Sequence, residues 1–372
     1  MKSSEQPFNL FSLALPSLRL NNIMQGWYPK QVSSFILLLC LTLIVMVLSL
    51  LTGPTQIPLD VFLSFVVNDT GEISPSAEQL MQIVMQLRAP RVLLALAIGA
   101  NLALCGAVIQ GMFRNPLADP GLIGISSGAS LGAVLMIVLG QSLFAAAFSL
   151  LGPHAIAIGA FGGGLLCTCL VIGIGELSQG RSSSQLLLAG IAINSLTGAI
   201  IGLLTYFADD MMLRDLTFWS LGSIGGANWQ LLGLVFTVLI LTSLVFFIHA
   251  QKLNALLLGE AEAAHLGIDV TALKRQLILA TALSIGVSVS TTGLIGFVGL
   301  VVPHLVRMAI SANYRVLLPF SMVTGGLLLL IADTFARQII APAELPIGII
   351  TALIGAPYFL YLILRHKNTI IF

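Results

Sequence analysis

Ten runs of mostly apolar residues, each near the length that a helix needs to cross a bilayer, recur along this chain of 372 residues and limit its fold more than any other feature. A hydrocarbon core about 30 Å thick takes about 20 residues of helix, and the backbone inside it has no water to bond. The runs lie at 33–52, 92–112, 122–140, 154–175, 186–206, 230–249, 276–293, 294–310, 316–335 and 346–364. The expected fold is an all-α polytopic membrane protein of ten spans, with residues 1–32 as a cytoplasmic N-terminal segment and 33–372 as one membrane domain. Lys30 precedes the first run without a small-residue cleavage site, so that run is expected to be retained. Gly293, Gly296, Gly299 and Pro303 interrupt the eighth run, which predicts a short or broken helix lined by protein.

Only 8% of the residues are charged, against roughly 25% in a soluble domain. No nucleic-acid partner is expected; the net charge of +1 itself says nothing about a nucleic-acid or acidic partner, and the placement of charge says more. An even number of spans puts both termini on one side. With the termini cytoplasmic, only Arg88, Arg91, Arg214 and Arg337 of the 16 Lys and Arg fall outside, the bias that cytoplasmic loops show.

The outer face then carries a long loop, residues 53–87, and a polar stretch from Ala208 to Asn228. Leu213, Leu216, Phe218, Trp219 and Leu221 in that stretch predict a short helix lying at the interface after span 5. The longest inner loop, residues 250–275, holds Glu260 and Glu262 among small residues and runs to Gly267, a residue suited to a helix C-terminus. It reads either as a solvated connector or as a short helix that inserts into a partner. Gly106-Ala-Val-Ile-Gln-Gly111 precedes Pro116 as Gly293-Leu-Ile-Gly-Phe-Val-Gly299 precedes Pro303, and the two segments enter from opposite sides, as in an inverted repeat.

Several chemistries lack their residues. The four cysteines, Cys40, Cys105, Cys167 and Cys169, sit inside apolar runs and read as inert thiols, with no metal site. No span has an acidic residue near its middle. Asp333 and Glu176 lie near span ends and Asp119 and Glu344 in loops, so the proton or sodium relay of an ATP-independent secondary transporter is not evident. No phosphate-cradling Gly-x-x-x-x-Gly-Lys-Ser/Thr segment occurs, so ATP hydrolysis would belong to a separate subunit.

Five segments carry a resemblance: Leu87-Arg-Ala-Pro-Arg91, Gly111-Met-Phe-Arg-Asn-Pro-Leu-Ala-Asp-Pro-Gly121, Gly259-Glu-Ala-Glu-Ala-Ala-His-Leu-Gly267, Gly296-Phe-Val-Gly-Leu-Val-Val-Pro-His304 and Ala343-Glu-Leu-Pro-Ile-Gly348. In this order, over about residues 85–365, the chain resembles the FecCD family, the permeases of bacterial ATP-binding-cassette importers for iron siderophores, heme and cobalamin. The resemblance implies a non-enzymatic permease of the inner membrane with no resident cofactor. It forms a homodimer in lipid, served by two cytoplasmic ATPases that hold the ATP and by a periplasmic binding protein. It further implies that Arg88, Arg91 and Arg337 dock the binding protein. Asn115, Leu117 and Ser183 narrow the path at its cytoplasmic side, and Glu260, Glu262 and Gly267 belong to cytoplasmic coupling helices between spans 6 and 7. His304 takes a structural, cytoplasmic position. Leu213-Arg-Asp-Leu-Thr-Phe-Trp-Ser-Leu-Gly222 is similar to the heme branch. There Arg214 would face the path and bind propionates, a salt bridge to Asp210 or Asp215 being the alternative; His154 and Met211 or Met212 could also touch a heme.

Overall fold

A computed structural model describes residues 27–53, 55, 57–66, 75–140, 142, 143, 145, 150–177, 183–341 and 343–365. Among them the regular structure is helical throughout, in the order α1 (Pro29–Leu51), α2 (Leu59–Val66), α3 (Pro75–Ile83), α4 (Ala89–Met112), α5 (Ile125–Leu139), α6 (Ala155–Leu177), α7 (Ser183–Tyr206), α8 (Asp210–Leu221), α9 (Trp229–Ile248), α10 (Ala250–Leu258), α11 (Glu260–His265), α12 (Val270–Thr292), α13 (Val298–Ala309), α14 (Tyr314–Ala336) and α15 (Ile347–Arg365). Among the described residues seven helical segments are long and apolar enough to cross a bilayer, and the apolar helices Ile125–Leu139, Val298–Ala309 and Ile347–Tyr361 are shorter. Each of the ten predicted runs overlaps one of these ten helices, of which seven reach spanning length. The short helix after the fifth run is α8, and the pair between the sixth and seventh is α10 and α11.

Local chemistry sets the helix starts. Asp209, Asn228, Asp269 and Asn313 stand just before α8, α9, α12 and α14 and accept backbone N–H bonds from Met212 (2.8 Å), Leu231 (2.9 Å), Ala272 (2.9 Å) and Arg315 (3.0 Å). Pro29 opens α1, four residues before the predicted run, because a first-turn proline gives up no hydrogen bond. The outer loop predicted at 53–87 is partly helical. α3 runs through a π-turn, Val84–Arg88, into α4, and Met81 and Val84 pack on Ile57 beside α2. Pro90 has no N–H to give the preceding turn, and the helix widens there so that the Ala89 N–H reaches back to Val84. The same turn presents the Met85 carbonyl to the Trp229 indole at 3.1 Å.

The most enclosed of the helices is α4, which packs against α9, α12, α13 and α14, while α1 is the least enclosed. Close backbone approach makes this possible. In a membrane, small residues let helices touch where apolar side chains gain nothing over lipid, and here Gly128 and Gly132 of α5 meet Gly159 and Gly163 of α6. The two glycine segments read as a repeat also meet: a Cβ on Gly106 would fall inside the Gly299 carbonyl. That carbonyl has lost its helical donor, since Pro303 sits four residues on without an N–H. The buried Gln110 amide replaces it, donating to the carbonyls of Gly299 (3.4 Å) and Leu300 (3.0 Å). The break predicted in the eighth run lies between α12 and α13, and Phe297 enters α13 at φ +68°, a left-handed conformation uncommon for a bulky side chain.

Candidate functional site

The predicted outer end is organised by arginines. Arg88, carried inward by the π-turn, is buried and donates to the carbonyls of Leu50 (2.7 Å), Leu51 (3.0 Å) and Thr55. These include the last carbonyls of α1, which have no partner within their own helix, and a cation suits the negative end of a helix dipole. Arg337 closes the same helix end from the other side, donating to Ser49 Oγ at 2.7 Å. Burial pulls its guanidinium below its ordinary proton affinity, an effect that Asp333 opposes. Arg91 grips Asp333 at 2.9 Å and Glu344 Oε1 at 2.7 Å, and Asp333 also pairs with Arg337 at 3.2 Å. Of this set the Glu344 side chain is the exposed member, at 40%. The structure thus brings Arg91 and Arg337 together on one carboxylate and turns Arg88 onto α1. Asp333 is the residue that sequence reasoning passed over as a partner, although Asp333 and Arg337 stand four apart on one helix, a spacing that pairs side chains.

The helix carrying Arg214, α8, is held at its C-terminal end where three chain segments converge. Gly222 and Gly293 adopt φ near +70°. The Ser223 N–H donates to the Thr292 carbonyl at 2.7 Å and the Ile347 N–H to the Gly222 carbonyl at 3.1 Å, which ties the ends of α8 and α12 to the start of α15. Arg214 is exposed and forms no ion pair with Asp210 or Asp215 among the described residues; its guanidinium lies 5.8 Å from the centre of the Phe218 ring. Met211 is exposed beside it, and Phe218 lines a cleft of about 290 Å³ together with His154, Trp219, Ser223 and Thr291.

At the opposite end, α4 terminates in a tight turn. Arg114 takes φ +50°, and Asn115 accepts the Leu117 N–H on its side-chain oxygen at 2.9 Å, leaving Leu117 half exposed. Asp119 caps the next turn through the Gly121 N–H at 2.8 Å, and burial pushes its carboxyl above the usual range. Ser183 begins α7; its side chain, and Ser182 before it, lie outside the described residues. Beyond α9, α10 and α11 meet at Gly259, whose φ of +139° is glycine territory. Glu260 bonds the buried Lys274 of α12 at 2.6 Å, and Glu262 is exposed. Gly267 ends α11 in the left-handed conformation, at φ +82°. Leu258 and Leu266 flank this pair of helices and are exposed at 68% and 65%.

The FecCD transport family matches residues 41–365. The hemin transport system permease protein HmuU of Yersinia pestis is 47% identical over 291 residues, which cover 78% of this chain and 86% of that protein. The vitamin B12 import system permease protein BtuC of Klebsiella pneumoniae is 39% identical over 328 residues, 88% of this chain and 92% of that protein. A solved structure described as an inward-facing conformation of a metal-chelate type ABC transporter superposes with a TM-score of 0.76 at 34% identity, covering 91% of this chain and all of that one.

Proposed function

The chain belongs to the FecCD transport family and is a permease subunit of a metal-chelate type ATP-binding-cassette importer; on that premise we propose that the chelate it carries is hemin. Arg214 supports this reading most directly. It is an exposed cation on the outer helix with no carboxylate bound to it, lying 5.8 Å over the centre of the Phe218 ring. A propionate can accept two parallel bonds from such a guanidinium, and the Phe218 face and the cleft beside it suit a flat conjugated ring. The similarity to a hemin permease points the same way.

In this reading all ten apolar helices cross the bacterial inner membrane and both termini are cytoplasmic. Two copies of the chain enclose the path, surrounded by lipid. A periplasmic binding protein docks on the arginine end, where Arg91 and exposed Glu344 form the contact surface and Arg88 and Arg337 hold its shape from below. Two ATPases take up α10 and α11 through the exposed Leu258, Glu262 and Leu266, an apolar and acidic surface that no described residue covers. Asn115, Leu117 and Ser183 narrow the path between the copies. ATP stays on the partner subunits, and the permease performs no chemistry.

The test is uptake into proteoliposomes holding the chain, its ATPase and its binding protein, with hemin, a ferric siderophore or cobalamin as cargo. ATP-dependent hemin uptake is expected, and Arg214→Ala lowers it about tenfold, the worth of one charge-assisted bond, while ATP hydrolysis persists. Uptake of the siderophore or cobalamin alone overturns hemin as the cargo. Uptake that ignores ATP overturns the importer reading.

A further inference from the structure

Helix α10 packs against α4 and α14 with its buried residues Ala250, Leu253 and Leu256, and its side-chain hydrogen bonds to the membrane domain meet the start of α14. Asn254 of α10 donates through Nδ2 to Asn313 Oδ1 at 2.9 Å and accepts the Tyr314 N–H on Oδ1 at 2.9 Å, so one side chain holds both the cap and the first residue of α14. Beside it, Gln251 faces Arg315, and turning its amide over would let its oxygen accept from Nε at 3.2 Å. The Tyr314 side chain leaves this junction and crosses to α4. It is fully buried, and its hydroxyl donates to the Ala107 carbonyl at 3.1 Å and accepts from Arg307 of α13 at 3.1 Å. The ring reaches α4 only because position 111 has no side chain: a Cβ on Gly111 would collide with the phenol oxygen.

Gly111 opens the turn proposed to narrow the path. The Arg114 N–H bonds to the Gly111 carbonyl at 3.1 Å and the Asn115 N–H to the Gln110 carbonyl at 3.0 Å, so the turn is bonded to the last residues of α4, one turn from Ala107. An unbroken set of bonds therefore joins α10 to the narrowing turn. Its link is a buried hydroxyl shared by α4, α13 and α14, where low polarity strengthens each bond. The other short helix, α11, holds α12 instead, through Glu260 and Lys274. We infer that Tyr314 is a positioning residue for transport: through its hydroxyl, movement of α10 shifts the end of α4 and with it the turn Asn115–Leu117. A ring that served only to fill space would not need that hydroxyl. This inference rests on the importer reading above.

The experiment uses the same reconstituted complex and measures hemin uptake and phosphate release together, so that cargo moved per ATP is read directly. Tyr314→Phe, which removes one oxygen and keeps the ring, is expected to lower cargo per ATP by about two- to thirtyfold, the range of a lost coupling contact, with phosphate release maintained. Asn254→Ala, which cuts the same route at its half-exposed beginning, lowers the ratio similarly, and the double variant falls no further. If uptake and phosphate release fall together, in proportion to the folded complex recovered, Tyr314 is structural and the inference is overturned. A ratio in Tyr314→Phe equal to that of the wild type also overturns it, and leaves the importer reading standing. A wild-type complex without ATP-dependent uptake of any of the three cargoes sinks both.

Discussion

Asp333→Asn destabilises the protein by about 3–5 kcal/mol, the cost of removing one partner from a buried ion pair. The carboxylate is 1% exposed and serves two guanidinium groups, Arg91 at 2.9 Å and Arg337 at 3.2 Å. An amide keeps the shape and loses the charge, so two cations are left facing each other at the end of the bundle. Arg91 retains Glu344, but Arg337 keeps only neutral oxygens of Ser49 and Thr52. Because Arg337 and Arg88 together hold the end of α1, the damage spreads to that helix, which is the least enclosed of the long ones. Glu344→Gln is the control. Its carboxylate is partly exposed, and exposed pairs contribute less than about 1 kcal/mol. Thermal unfolding of the detergent-solubilised protein, followed by tryptophan fluorescence, separates the two. A loss for Asp333→Asn no larger than that for Glu344→Gln would mean that the arginine end is not held by this carboxylate.

The sequence discloses those features that depend on local pattern. Apolar runs mark the ten helices because hydropathy acts on each run separately. The break before α13 is visible in its glycines, and the end of α11 in Gly267. Contacts across the fold are less legible. Arg88, Arg91 and Arg337 read as outward-facing, because nothing in a linear chain shows that the end of α1 offers carbonyls to Arg88 or that Asp333 lies between the other two. Only the spacing of Asp333 and Arg337 on one helix hinted at it. Tyr314, Asn254 and Gln110 carry no sequence signal of their own. A buried tyrosine on an apolar helix looks like packing until its hydroxyl is seen between a carbonyl and an arginine. The salt bridge weighed for Arg214 is absent although Asp210 stands at the favourable spacing, since α8 turns the guanidinium over Phe218 instead.

Gly106→Ala is expected to cost about 3 kcal/mol or more, at or beyond the upper end for overfilling a packed core. The added methyl would occupy the space of the Gly299 carbonyl, which is backbone and cannot rotate away. Relief requires α13 to move off α4. That movement would stretch the Gln110 bonds that replace the donor missing at Pro303, so steric and polar losses come together. On α7, Gly198→Ala meets nothing within 4 Å and gains helix propensity, about 1 kcal/mol in favour of alanine. The same chemical change thus has opposite signs at two membrane glycines, and parallel thermal unfolding of the two variants reads both. The contrast is a property of α13: as a 12-residue helix with an internal proline, it depends on α4 for its position. If Gly106→Ala unfolds with the wild type, α13 is free to shift against α4, and the meeting of the two glycine segments is not what fixes the broken span.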